Sequence, residues 1–270
     1  MSLLIDTSFL WNETVWNPSM ISTALWLDAA DATTLFTTDS GSTLATNGSA
    51  VGRWNDKSGN TRNATQATAG SRPLFAAAGL NGKAAIDCDG TNDELSLANI
   101  TSLTSVNQSL FVVAKRDNAA GRTEVSIAIG NASTSDSVAD TPRWIDNVMY
   151  SQVGYAANRP TPISVITDQP YISSVTGGAI QLSYTNGTLI GTGTTQSTSS
   201  FSVTSGFIGS GSAVSLSGRF FDGKIAEIVL LPVVADTTTR QKLEGYLAHK
   251  WGLGANLPVG HPYKTVGPKP

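Results

Sequence analysis

The stretch Ile180-Gln181-Leu182-Ser183-Tyr184-Thr185-Asn186-Gly187-Thr188-Leu189-Ile190 decides the fold class. Apolar and polar residues alternate from Ile180 to Tyr184, the period of a strand with one buried and one wet face. Asn186-Gly187 then supplies a tight reversal, because both residues tolerate the positive φ that a two-residue hairpin loop demands. Outward from this hairpin, short β-type runs separated by Gly, Asn, Asp, Ser and Pro clusters fill the chain from Ala24 to about Ser217. That spacing belongs to a sandwich or barrel. Strands are predicted at 24–27, 84–88, 110–115, 124–129, 163–166, 171–175, 179–184, 188–190, 207–209 and 224–231, with another around Phe201 and Val203; 191–200 reads as a long surface loop.

One helix is predicted, over 239–251, where Leu243, Tyr246, Leu247, Lys250 and Trp251 fall on one face. Thr238 with Gln241 fits a capping box, and Gly252 fits a left-handed C-terminal cap. The organisation read from the chain is a single sandwich over 24–264 that includes the helix. An N-terminal arm, 1–23, precedes it, and an extended tail, 265–270, follows it.

Composition narrows the partners. Only 14% of the 270 residues are charged, whereas 63 are Ser or Thr, so the surface is hydroxyl-rich rather than ionic. With 17 basic and 20 acidic side chains the net charge is −3, which provides no basic field for nucleic acid or an anionic membrane. The one cysteine, Cys88, has no partner for an internal disulfide. No apolar run approaches the roughly 20 residues of a spanning helix; the longest, 225–235, is broken by Glu227 and Pro232. The first residues lack a basic segment followed by a long apolar one, so a soluble product made in a cytoplasm is expected.

Candidate chemistry is sparse. A Ser/His/Asp arrangement needs an imidazole base, and His249 and His261, the two available, sit in the helix and the tail. Sandwich enzymes that retain anomeric configuration place acidic residues at alternate strand positions, and none of Glu13, Glu94, Glu124, Glu227 or Glu244 has an acidic residue two positions on. The chain is therefore expected to be non-enzymatic, with no cofactor. Asp28 and Asp31 read as turn residues that satisfy backbone donors. The acidic run from Asp87 through Asp89 and Asp93 to Glu94 raises structural calcium, but its spacing fails the helix-loop-helix calcium pattern and a plain turn between two strands is the preferred reading. Trp54, Asn55 and Asp56 open a loop that either anchors itself or presents a stacking platform for sugar; Trp144 is the other candidate platform. Trp11 and Trp16 lie in a segment too short for its own core, so they either pack along the domain or form an interface with another subunit.

Four segments together carry a resemblance. They are 24–31 (ALWLDAAD), 54–60 (WNDKSGN) with Asn63-Ala64, 80–84 (LNGKA) leading to Asp89-Gly90, and 244–253 (EGYLAHKWGL) with the closing run 257–263. Their order and spacing, over about 16–264, resemble the concanavalin A-like, laminin G-like jelly-roll domains of tailed-bacteriophage virion proteins. The resemblance implies an all-β, two-sheet antiparallel jelly-roll sandwich with one C-terminal helix packed on it, in agreement with the unaided reading. It implies a virion protein made in the bacterial host's cytoplasm: an outer capsid decoration or a tail- or fibre-associated protein, in several copies among other virion proteins. The alternative is a glycan-binding adhesin for host surface polysaccharide. No calcium or sugar ligand transfers residue by residue, and Trp26, Trp54, Tyr246 and Trp251 match as core and helix-docking positions.

Overall fold

A computed structural model describes residues 15–117, 123–133, 137–142, 148–154, 166–194, 200–214 and 216–270. Two antiparallel sheets of eight strands each form the jelly-roll sandwich. The first runs, in spatial order, β14 (Thr188–Thr194), β13 (Ile180–Thr185), β12 (Pro170–Thr176), β8 (Ser109–Arg116), β18 (Asp222–Leu231), β6 (Lys83–Asp89) and β5 (Leu74–Leu80). Its eighth strand, β1 (Leu25–Asp28), pairs with the second half of β18, beyond the part that pairs with β6. The other sheet runs β11 (Tyr150–Gly154), β10 (Ser137–Thr141), β9 (Ile127–Gly130), β15 (Ser205–Ile208), β7 (Leu95–Leu97), β4 (Ala64–Thr65), β3 (Arg53–Trp54) and β2 (Leu35–Phe36). A small ribbon joins β16 (Ser210–Gly211) to β17 (Leu216–Phe220).

Strands β8 and β18 read as nearly continuous apolar runs because both of their faces are covered. Leu110, Val112, Ala114, Ile225 and Leu230 meet Ile127, Ile129, Val138 and Val153 of the opposite sheet. On the other side, Phe111, Val113, Val229 and Leu231 lie under the helix α1 (Thr237–Lys250), through Leu243, Leu247 and the adjoining Trp251. Among the described residues no helix is long and apolar enough to cross a membrane.

The hairpin forms as its sequence demands, with Asn186 at φ 48° and Gly187 at φ 74°. Both of its faces are largely covered, where one wet face was expected: Tyr184 is buried and Leu182 half-buried on the apolar face. Gln181 and Ser183 point inward, while Ile180 is 59% exposed. The reason is a sheet edge: the Gln181 amide accepts from Val153 N at 2.8 Å and donates to Ser151 O at 3.0 Å, standing in for a strand beside β11. The helix begins two residues before the predicted start, because the Asp236 carboxylate caps it by accepting from Thr239 N at 2.7 Å. Gly252, at φ 70°, ends it as expected. Phe201 and Val203 are buried in irregular chain rather than a strand, β9 begins only at Ile127, and β14 continues to Thr194. Of the predicted strand at 163–166, residues 163–165 lie outside the described chain.

The N-terminal boundary also moves. Trp16 is 4% exposed and meets Tyr246 edge-on, ring centroids 6.2 Å apart, in the layer between helix and sheet. It is thus part of this domain's own core and not a free interface residue, since burying so large a ring contributes more than leaving it in water. Trp11 lies outside the described residues.

Candidate functional site

The loop after β3 is built inward. Trp54 is fully buried among the core residues, so its ring presents no face to a sugar, and its indole nitrogen has no partner among the described residues. Asp56 accepts from the backbone amides of Trp26 (2.9 Å), Ser58 (2.9 Å) and Arg62 (3.0 Å) and from the Ser58 hydroxyl (2.6 Å). Asn55 accepts from Arg53 Nε at 3.0 Å. The anchoring alternative describes this loop, and Trp54, Asn55 and Asp56 as a sugar platform are corrected: their polar atoms are aimed at the domain itself. Trp144, the other proposed platform, lies outside the described residues.

The acidic run is likewise a turn. Asp89 accepts from Thr91 N at 2.7 Å, Asp93 accepts from Asp89 N at 2.9 Å, and Asp87 pairs with Lys224 at 3.2 Å. Among the described residues no three His, Cys, Asp or Glu side chains converge on one point. These carboxylates are aimed at amides and a lysine, so the donor set does not fit a calcium ion. Burial, reinforced by Asp89 and Asp87, pushes the Asp93 carboxyl up to about 6.

In the sequence Glu227 interrupts an apolar run and has no acidic residue two positions on. In the structure it is fully buried and forms a polar hub. Its Oε1 accepts from Trp26 Nε1 (2.8 Å) and Tyr246 OH (3.0 Å), and its Oε2 from Trp251 Nε1 (2.7 Å) and Lys250 Nζ (2.7 Å). From Lys250 an alternating chain of charges leads outward: Lys250 to Asp28 (2.6 Å), Asp28 to Lys57 (3.0 Å), Lys57 to Asp31 (2.8 Å). Burial raises the Glu227 carboxyl and Lys250 opposes it, while the hydrogen bond from Lys57 lowers Asp31. All four donors suit a carboxylate, which has lone pairs for each. Asn81, in the turn between β5 and β6, adds a bond from Nδ2 to Trp251 O at 2.7 Å. The four resemblance segments therefore meet around the last turn of α1, and Trp26, Tyr246 and Trp251 join the core through their polar heads as well as their rings.

Both histidines hold the tail. His261 Nε2 lies 3.3 Å from Glu244 Oε2, which also takes Arg240 at 2.5 Å, while Glu244 Oε1 accepts from Ser174 at 2.8 Å. His249 Nε2 lies 2.8 Å from Tyr263 O.

A second polar cluster lies between the sheets, at the end where β8 finishes and β12 begins. Arg116 grips Glu124 with two bonds, Nε to Oε2 at 2.7 Å and Nη2 to Oε1 at 3.2 Å. Asp140, on β10, accepts from Ser126 Oγ at 2.6 Å and from Ser173 of the opposite sheet. Burial pushes its carboxyl up to about 6. No local pattern predicted this cluster, because its members come from β8, β10, β12 and the chain before β9; the cue available was the buried charge itself, which must find partners.

The chain matches no protein-family model and no curated protein. Solved structures share its fold. Domain 4 of a GH43 extracellular arabinanase from Geobacillus stearothermophilus, in complex with arabinotriose, superposes with a TM-score of 0.55 at 17% identity, covering 70% of this chain and 91% of that one. The Botulinum neurotoxin serotype G binding domain gives 0.53 at 11% identity, over 82% of this chain and 50% of that one. A Trypanosoma rangeli sialidase gives 0.51 at 11% identity, over 82% and 34%. The chain thus spans about half of the neurotoxin domain and a third of the sialidase. The expectation of a non-enzymatic chain is corrected by this likeness: the same fold is part of an arabinanase and of a sialidase, so the missing catalytic patterns do not exclude an enzyme.

Proposed function

We propose that the chain is a structural protein of a tailed-bacteriophage virion: an outer capsid decoration or a tail- or fibre-associated protein, held in several copies among other virion proteins and made in the host cytoplasm. The observation that supports this reading is the use of the resemblance segments. Their aromatic rings and polar heads are given to one internal knot around Glu227, as suits a rigid body carried on a particle. Attachment is assigned to residues 1–14, which precede the packed Trp16. The test mixes purified chain with particles lacking it and follows co-sedimentation and particle resistance to heat. Saturable binding that vanishes on deleting residues 1–14, with the fold intact, is expected; a folded chain that binds no particle defeats the reading.

A second reading, recognition of host surface glycan, is favoured by the fold shared with an arabinanase domain bound to arabinotriose. An array of host-type polysaccharides tests it. Absence of any response removes it.

A further inference from the structure

We infer that Lys250 and Asp28 join in an intramolecular isopeptide bond, formed by the folded chain itself with Glu227 as its proton relay. The bond goes beyond the proposed function and depends on neither reading of it.

The geometry around Glu227 carries the argument. Asp28 on β1 and Glu227 on β18 are register partners, so two paired strands hold their carboxyls on one face, side by side. Lys250, in the last turn of α1, places Nζ 2.6 Å from Asp28 Oδ1 and 2.7 Å from Glu227 Oε2. Water has little access. The side chains of Lys250, Asp28 and Glu227 are 17%, 6% and 0% exposed, and Nζ lies 5.3 Å and 5.4 Å from the ring centres of Trp251 and Tyr246. An exposed salt bridge stays charged and hydrated. Here both partners are taken out of water, which makes their charges costly to keep and favours a neutral amide of the same reach. Side chains fixed on packed elements also supply the proximity that a condensation between free molecules lacks.

The step balances without a co-reactant. Lys250 passes one proton to Asp28 Oδ1, its hydrogen-bond partner, which leaves a neutral amine and a carboxylic acid. The nitrogen lone pair attacks Asp28 Cγ, and the new N–C bond places negative charge on Oδ2. Lys57 Nζ stands 3.0 Å from that oxygen and stabilises it. Glu227 Oε2 takes a second proton from the nitrogen and returns it to Oδ1, the C–O bond breaks, and one water leaves. Ammonium and carboxylate have become amide and water, and Glu227 ends as it began. Burial raises the Glu227 carboxyl, which suits a group that must hold a proton in passing. The bond ties β1 to the helix α1 and closes the chain between residues 28 and 250, constraining the unfolded state as a disulfide across a long loop does.

Intact-mass spectrometry on the full chain, denatured after folding, tests the bond. The mass should fall short of the sequence by one water, and proteolysis should yield a branched species joining the peptides that contain Asp28 and Lys250. Glu227→Gln keeps the shape of the relay without its proton chemistry and should leave most of the chain at full mass. Lys250→Arg keeps the charge but not a nucleophilic amine, and should leave all of it there. A folded native chain at full sequence mass overturns the bond, whatever the variants do. A missing water that maps to Lys57 or to any other pair overturns the assignment to Lys250, and unchanged closure in Glu227→Gln overturns the relay.

Discussion

Glu227 takes four donors into one carboxylate at the centre of a strand covered on both faces. A buried charge is tolerated only when its lone pairs are filled, and removing one member strands the others. Glu227→Ala should therefore cost about 3–5 kcal/mol, read from urea denaturation. Asp140 behaves differently, because its side chain has hydroxyl partners and, among the described residues, no cation. Its folded carboxyl titrates at about 6 against 3.8 when unfolded, so the folded state holds a proton that the unfolded state has lost. The stabilisation is complete below the unfolded value and disappears as pH rises through about 6. Across that window the unfolding free energy should fall by about 3 kcal/mol, at roughly 1.4 kcal/mol per unit. Asp140→Asn should remove its own share of this slope when stability is measured from pH 4 to 7; Asp93, its carboxyl likewise raised to about 6 by burial, contributes a slope of the same sign in the same window.

At the scale of elements, α1 is fixed by what crosses it. Gly245 sits inside the helix, where alanine would ordinarily add about 1 kcal/mol. A Cβ there would stand 2.4 Å from Tyr263 Cβ, too close for any real contact, so the glycine exists to let the tail cross. Gly245→Ala should lower the melting temperature, against its helix propensity, and expose the chain after Leu257 to protease. In the β13–β14 hairpin, Gly187 combines φ 74° with His261, Leu257 and Pro258 atoms 3.1–3.3 Å from where a Cβ would sit. Gly187→Ala should cost about 1–2 kcal/mol from the left-handed backbone alone, measured by thermal unfolding. The turn was legible from Asn-Gly. Which face of β13 turns inward was not, because period 2 assigns two faces without naming the buried one, and the exposed edge of β11 recruited Gln181.

For the whole molecule, the domain begins before Ala24. Deleting residues 1–23 removes Trp16 and should lower the stability of the full chain by about 3–5 kcal/mol, the range for emptying a large aromatic site. Comparing the denaturation midpoints of the full and shortened chains checks the boundary. The all-β class, the C-terminal helix with its glycine cap, the hairpin at Asn186-Gly187 and the small net negative charge were legible in the sequence. Each follows from local period, turn chemistry or summed charge, which neighbouring residues suffice to set. Tertiary structure alone decided that Trp16 and Trp54 are core, that the acidic run is a turn, and that Glu227 joins Trp26, Lys250 and Trp251. It also decided that Arg116, Glu124 and Asp140 share one end of the sandwich. Those outcomes depend on which faces of distant strands meet, and burial fixes the value of a polar side chain only once its surroundings are in place.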